Sequence, residues 1–212
     1  MYRHVLGSKK RMAWQPVLAA AVMALTFGSA TVQGAGPGAD APSLKVGDQW
    51  KFERVDRRTG VAAGEFLRTI TAVTPSKIEG TENNEKFAMT ADLNVIESSV
   101  SVQSGNVKYL NFPLEVGKKW SFAYAATNKT TGRKYSYQID ASIVAQEKVK
   151  VLAGEFDAFK IEYKGVFTGE RLNRRIIQTN WYAPAARAPV RIEFDDTANN
   201  WAQQLVEVQL QP

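Results

Sequence analysis

The sequence predicts an all-β, antiparallel fold: a curved sheet, half-barrel or sandwich with an internal repeat offset by 70 residues. Three observations carry this expectation. Residues 134–151 alternate apolar and polar positions with a period of two. No stretch of eleven or more residues after position 43 has helical periodicity. Finally, Leu44-Lys45-Val46-Gly47-Asp48-Gln49-Trp50-Lys51-Phe52 recurs as Leu114-Glu115-Val116-Gly117-Lys118-Lys119-Trp120-Ser121-Phe122.

The alternation is clearest in the longest strand. Tyr135, Tyr137, Ile139, Ala141 and Ile143 lie on one face, with Lys134, Ser136, Gln138, Asp140 and Ser142 on the other. Such a run exceeds ordinary strand lengths, so a bend or bulge is expected around Ala145 to Lys148. Glu147 sits in the apolar register of this strand. A bulge that turns it outward accounts for it, and a polar group inside a ligand cavity is the alternative.

The repeat has a physical reading of its own. Its shared form is Leu-x-Val-Gly-x-x-Trp-x-Phe, with five identities in nine positions. The glycine permits a turn and the chain then enters a strand. Trp and Phe two residues apart share a face and anchor it to the core.

Other strands follow from the same pattern. Trp120, Phe122 and Tyr124 share a face, as do Phe159, Ile161, Tyr163 and Phe167. Val190, Ile192 and Phe194 form another set, and Val206, Val208 and Leu210 close the chain. Weaker strands are expected at 65–73, 76–81, 85–90, 93–100 and 107–112. Ser104-Gly105-Asn106, Thr131-Gly132 and Thr168-Gly169 are hairpin-turn signals. Ala183 to Pro189 is bracketed by prolines and reads as a loop or short turn.

Residues 1–35 have the form of a secretory signal peptide. Arg3, Lys9, Lys10 and Arg11 precede an apolar run, and Gly28-Ser29-Ala30 fits a cleavage site. The apolar run is shorter than the ~20 residues a bilayer span needs. Residues 36–43 are then a flexible start. Residues 44–212 form a single β domain of two related halves, 44–112 and 114–212. A periplasmic or secreted bacterial location follows, with no transmembrane segment in the mature chain.

Charge and composition exclude several functions. The chain has 27 Lys and Arg against 21 Asp and Glu, and four of the basic residues belong to the leader. Without a basic stripe, nucleic-acid binding is not expected. There is no cysteine, and the one histidine, His4, lies in the leader. A mature chain would carry neither a Ser-His-Asp triad, nor a Cys-His pair, nor a His/Cys zinc site. No cofactor is expected. The absence of cysteine also excludes a lipidated N-terminus.

From Phe112 onward the chain resembles a class of exported bacterial β-rich proteins with a domain of unknown function. Three segments carry the resemblance: Phe112 to Trp120, Val151 to Phe159, and Trp181-Tyr182-Ala183-Pro184 followed by Val190-Arg191-Ile192-Glu193. They are turn and core motifs. The resemblance implies an exported β domain and carries no catalytic residue.

The remaining chemistry is that of binding. Aromatic residues are abundant on strand faces: Trp50, Trp120, Tyr135, Tyr137, Phe159, Tyr163, Trp181 and Trp201. The expected role is a non-catalytic binding or envelope-associated domain that holds a hydrophobic or amphiphilic, lipid-like molecule on a concave face. Trp50, Trp120, Tyr137, Tyr163 and Trp181 are the candidate ligand-binding residues. One alternative is a carboxylate-dependent glycan hydrolase drawing on Glu162, Glu170, Glu193, Asp195 and Asp196. Another is a structural partner of an envelope protein assembly that offers an exposed strand edge. Asp195 to Asn200 and Glu82 to Glu85 are acidic enough for calcium but read as ordinary turns.

Overall fold

A computed structural model describes residues 38–212. The leader at 1–35 lies outside the described residues. Twelve strands follow one another: β1 (Gln49–Asp56), β2 (Ala62–Val73), β3 (Lys77–Glu82), β4 (Glu85–Thr90), β5 (Val95–Glu97), β6 (Ser101–Gly105), β7 (Lys119–Asn128), β8 (Lys134–Val151), β9 (Gly154–Gly169), β10 (Leu172–Ala183), β11 (Ala188–Asp195) and β12 (Asn200–Gln209). A single 3-10 turn, Pro184–Ala186, joins β10 to β11.

Each strand pairs antiparallel with its neighbours in sequence, and the last returns to the first. Trp50 lies opposite Val208, and Phe52 opposite Leu205, so β1 and β12 close the sheet into a barrel. This corrects the expected half-barrel or sandwich. Alternation along a strand says which face is buried, but it does not say whether two strands 150 residues apart will meet. Closure also removes the exposed edge that strand addition by a partner requires. The thinnest seam is at β5 and β6, where Glu97 and Val102 are the only paired residues.

Inward positions carry the apolar residues: Trp50 and Phe52 on β1, Ile70 on β2, Ile139 and Ile143 on β8, Ile161 and Tyr163 on β9. Outward positions carry ion pairs such as Lys51 with Glu65 at 2.8 Å and Lys164 with Glu162 at 3.6 Å. These pairs are exposed, so solvent screening leaves them a minor part of the fold's stability.

The two glycine turns of the repeated segment have matching geometry. Gly47 and Gly117 both have φ of 92°. Gly47 N donates to Ile70 O at 2.9 Å, and Gly117 N to Ile143 O at 2.8 Å. Each turn therefore pins the start of its strand to the neighbouring strand, 70 positions apart. Beyond the turns the strands diverge in length, from 3 residues in β5 to 18 in β8.

The bend expected in β8 is present. The register with β9 shifts between Ile143 and Ala145, leaving Val144 as the extra residue. The shift turns Glu147 outward, where it is exposed and accepts a hydrogen bond from Trp181 Nε1 at 2.7 Å. Beyond the bulge, the tip of the β8–β9 hairpin reaches β12, and Ala153 N donates to Leu205 O at 3.1 Å. Val149 and Val151 are buried there.

Two expectations about the middle of the chain need correction. Residues 107–112 are not a strand, and Ser104-Gly105 ends strand β6 rather than turning a hairpin between two strands. The long loop that follows, 106–118, is nonetheless fastened into the barrel. The Asn94 side chain accepts from Leu110 N at 2.8 Å and donates to Leu110 O at 3.0 Å. One buried amide thus replaces the partner strand that Leu110 lacks. Trp120 Nε1 donates to Lys108 O, and Lys118 Nζ to Asn111 O and Pro113 O. Val107, Leu110 and Leu114 look periodic because they are buried, although a side chain rather than a ladder satisfies the backbone.

Candidate functional site

The barrel encloses a cavity of about 380 Å3, within the range of small-molecule sites. Its lining combines apolar and polar side chains. On β1 the inward residues run Trp50, Phe52, Arg54. At about 3.3 Å per residue, Trp50 and Arg54 are roughly 13 Å apart along the chain. Leu44, Met89, Leu93, Val95 and Leu110 join Trp50 in an apolar part of the lining. Arg54, Arg68, Glu82, Gln103 and Gln203 supply a polar part, with Trp201 and Phe66 among them. The β5–β6 turn, Ser98 to Val100, also lines the cavity, and Val100 is 62% exposed, so this turn forms the rim where the cavity meets solvent.

The two arginines differ in their company. Arg68 pairs with Glu82 at 2.7 Å and stands over the Phe87 ring at 4.0 Å. Arg54 stacks over Trp201 at 4.2 Å, and its polar partner is the neutral amide of Gln203, with Nη2 donating to Oε1 at 3.2 Å. Both guanidinium carbons lie near the Phe66 ring, at 5.8 and 5.9 Å from its centroid. Burial lowers the Arg54 pKa, and the Arg68 charge adds to that effect while Glu82 opposes it. Nε of Arg54, Nε of Arg68 and Oε1 of Gln103 are buried without a hydrogen-bond partner among the described residues. Buried polar atoms are usually satisfied, so these three are exceptions among the side chains around the cavity.

Arg187 also reaches the lining, but its charge is matched. Asp48, fully buried, accepts from Arg187 Nη1 at 3.1 Å and from the backbone N–H groups of Lys45 and Gln211. Arg187 holds a left-handed φ of 52° just after the 3-10 turn.

The structure brings only one of the five sequence-predicted residues to this cavity. Trp50 lines it, and its Nε1 donates to Ala186 O at 2.7 Å. Trp120 packs edge-on against Tyr163 beside the loop at 106–118. Tyr163 is wholly buried and donates to Tyr109 O at 2.6 Å. Tyr137 stacks on Tyr124 at 4.5 Å and on Phe167 at 5.5 Å. Trp181 lies beneath Glu147 and Lys160 on the other face of β10. Tyr109 and Tyr124 reach the lining instead, joined through their hydroxyls at 2.9 Å. Burial pushes Tyr109 up to about 12, with the Tyr124 hydroxyl partly offsetting it. Burial also raises Tyr124, Tyr163 and Tyr182 well above the ordinary tyrosine value.

Sequence reasoning missed Arg54, Arg68, Gln103 and Gln203. A signal for the arginines was present. Arg54 shares the register of Trp50 and Phe52, and Arg68 that of Phe66 and Ile70. Each is a charge in an apolar register, the same anomaly that drew attention to Glu147.

Four of the five carboxylates considered for hydrolysis have other duties. Glu162 pairs with Lys164, and Glu193 with Arg57 and Arg191. Asp195 accepts from Thr197 N and Asn200 Nδ2, and Asp196 from Ala198 N and Asn199 N, which fastens the β11–β12 turn. Among the described residues no group of three acids or histidines is arranged to hold a metal ion.

No protein-family model matches the chain, and no curated protein matches it. Solved structures do. One is a "putative exported protein" with a YmcC-like fold from Bacteroides fragilis, with a TM-score of 0.57 at 13% identity. Another is a "putative lipoprotein" from Parabacteroides distasonis, with a TM-score of 0.56 at 15% identity. Each match covers 82% of this chain and 100% of the other. At such identities the likeness is one of fold. The resemblance read from the C-terminal half therefore extends across the barrel: the chain shares the architecture of exported bacterial β-rich proteins.

Proposed function

We propose that this protein is an exported, non-catalytic binding domain that holds a hydrophobic or amphiphilic small molecule inside its barrel. The observation that carries the reading is the cavity of about 380 Å3 inside the barrel, whose lining combines apolar residues such as Trp50, Met89 and Leu110 with the charged Arg54 and Arg68. Molecules with an apolar body and one polar end match such a lining. The non-catalytic part rests on the composition of the lining: its one carboxylate, Glu82, is committed to Arg68, whereas glycoside hydrolysis uses two. Export is supported by the form of residues 1–35 and by the names of the two structural neighbours. A lipid attached through cysteine has no residue to bear it here.

The test is native mass spectrometry of the processed chain purified from the periplasm of its own host, with solvent extraction of bound material. A stoichiometric amphiphile is the expected result. A bare mass, together with failure of added alkyl compounds to bind, would overturn the reading.

A further inference from the structure

The cavity carries an uncompensated positive charge. Its lining holds three arginines. Arg68 is neutralised by Glu82 and Arg187 by Asp48. Arg54 has no acidic partner among the described residues and leans on Trp201 and the Gln203 amide. Holding a guanidinium away from water without an anion is costly. A fold that keeps one in the cavity lining is arranged for an anion from elsewhere. The rest of the lining limits what that anion can be attached to. Space for about 380 Å3 is roughly a dozen water-sized groups of about 30 Å3 each. That admits one alkyl chain, not two.

We propose that the ligand is a single-chain amphiphile with one negative charge, a carboxylate, whose head sits between Arg54 and Arg68 and whose chain runs toward Trp50, Leu93 and Leu110. A guanidinium presents paired N–H donors that match the two oxygens of a carboxylate. Nη2 of Arg54 is engaged by the Gln203 amide and Nη2 of Arg68 by Glu82, which leaves the rest of each guanidinium fork to meet the head. Phe66 lies between the two heads and Trp201 covers one of them, which limits competition from water. The free Gln103 Oε1 accepts hydrogen bonds only. It suits a bridging water or a hydroxyl beside the head rather than the carboxylate itself.

This inference rests on the binding reading above, and the experiment separates the two. Isothermal titration of the processed chain would compare decanoate, decanol and decyltrimethylammonium, each below its micelle concentration, with acetate as the head alone. Decanoate is expected to bind about 10- to 100-fold tighter than decanol, the range for charge-assisted hydrogen bonds. Decyltrimethylammonium and acetate are expected to bind weakest. Arg54→Met should bring decanoate to within a few-fold of decanol. Arg54→Lys should retain part of the preference, and the thermal midpoint of each variant reports whether it is folded. If wild-type protein binds decanol or the ammonium compound as tightly as decanoate, the anionic head is refuted and the binding reading stands. If no decyl compound binds, both fall.

Discussion

Gly165 and Gly80 test how closely neighbouring strands of the barrel approach. Both lie inside strands, and neither adopts a left-handed backbone. A Cβ on Gly165 would sit 2.2 Å from Gln138 O and 2.7 Å from Ile139 Cδ1. On Gly80 it would sit 2.1 Å from Thr69 O. Relief requires neighbouring backbone in β8 or β2 to move by about 1 Å or more, since van der Waals contact to oxygen begins near 3.4 Å. Overpacking of this kind costs about 1–3 kcal/mol, and a backbone partner places it at the upper end. Alanine also restricts the unfolded chain, which returns about 0.4–1 kcal/mol. The net expectation for Gly165→Ala or Gly80→Ala is a loss of about 2 kcal/mol. With an m-value of about 2 kcal/mol per molar, the urea midpoint should fall by about 1 M. Gly132→Asn is the control, because Gly132 has a φ of 69° and nothing within 4 Å of its Cβ position. Asparagine tolerates that conformation, so a change within about 0.5 kcal/mol is expected. A Gly165→Ala or Gly80→Ala protein as stable as wild type, with unchanged m, would refute the close approach of β9 to β8 or of β3 to β2.

Three further outcomes are expected. Above pH 10, tyrosines that ionise in the unfolded chain stay protonated in the fold, so stability falls as pH rises toward the folded values. With Tyr109, Tyr124, Tyr163 and Tyr182 all raised by burial, the slope is about 5 kcal/mol per pH unit, and phenolate absorbance should appear together with loss of circular dichroism. Ionisation of these tyrosines near pH 10 with the fold intact would contradict their burial. Asn94→Ala leaves the Leu110 N–H and C=O without partners and should cost about 2–4 kcal/mol in urea unfolding, with a loss under 0.5 kcal/mol as the refuting result. Glu147→Ala removes an exposed acceptor from the Trp181 indole and should cost about 0–1 kcal/mol; a larger loss would place Glu147 inside the core.

The sequence reading succeeded where one strand carries its own evidence. The alternation in β8 and β9 and the glycine turns at 47 and 117 are local, and each appears as a local structure. The bulge followed from the length of the alternating run, and it accounts for the misplaced charge of Glu147. Three features were beyond such reading. Closure depends on β1 meeting β12, which no periodicity records. Strand β6, Ser101–Gly105, is short and polar because it borders the rim, so it looks like a turn. The loop at 106–118 imitates a strand because Asn94 stands in for a ladder. At the site, aromatic abundance pointed to binding but not to the right side chains. Tyr137 and Tyr163 fill the core, and aromatic residues do so whether or not a cavity lies beside them. The distinguishing feature was the pair of arginines in apolar registers, because a buried charge needs a specific reason and a buried ring does not.

An amphiphile is expected to bind inside the barrel rather than on its outer wall. Methyl-selective NMR with added decanoate tests it most directly. Inward methyls at Met89, Leu93, Val95 and Leu110 should shift along one saturating curve, while outward methyls at Val144, Val166 and Ile177 stay unmoved. Shifts confined to the outward set, or none at concentrations where decanoate stays monomeric, would contradict the claim.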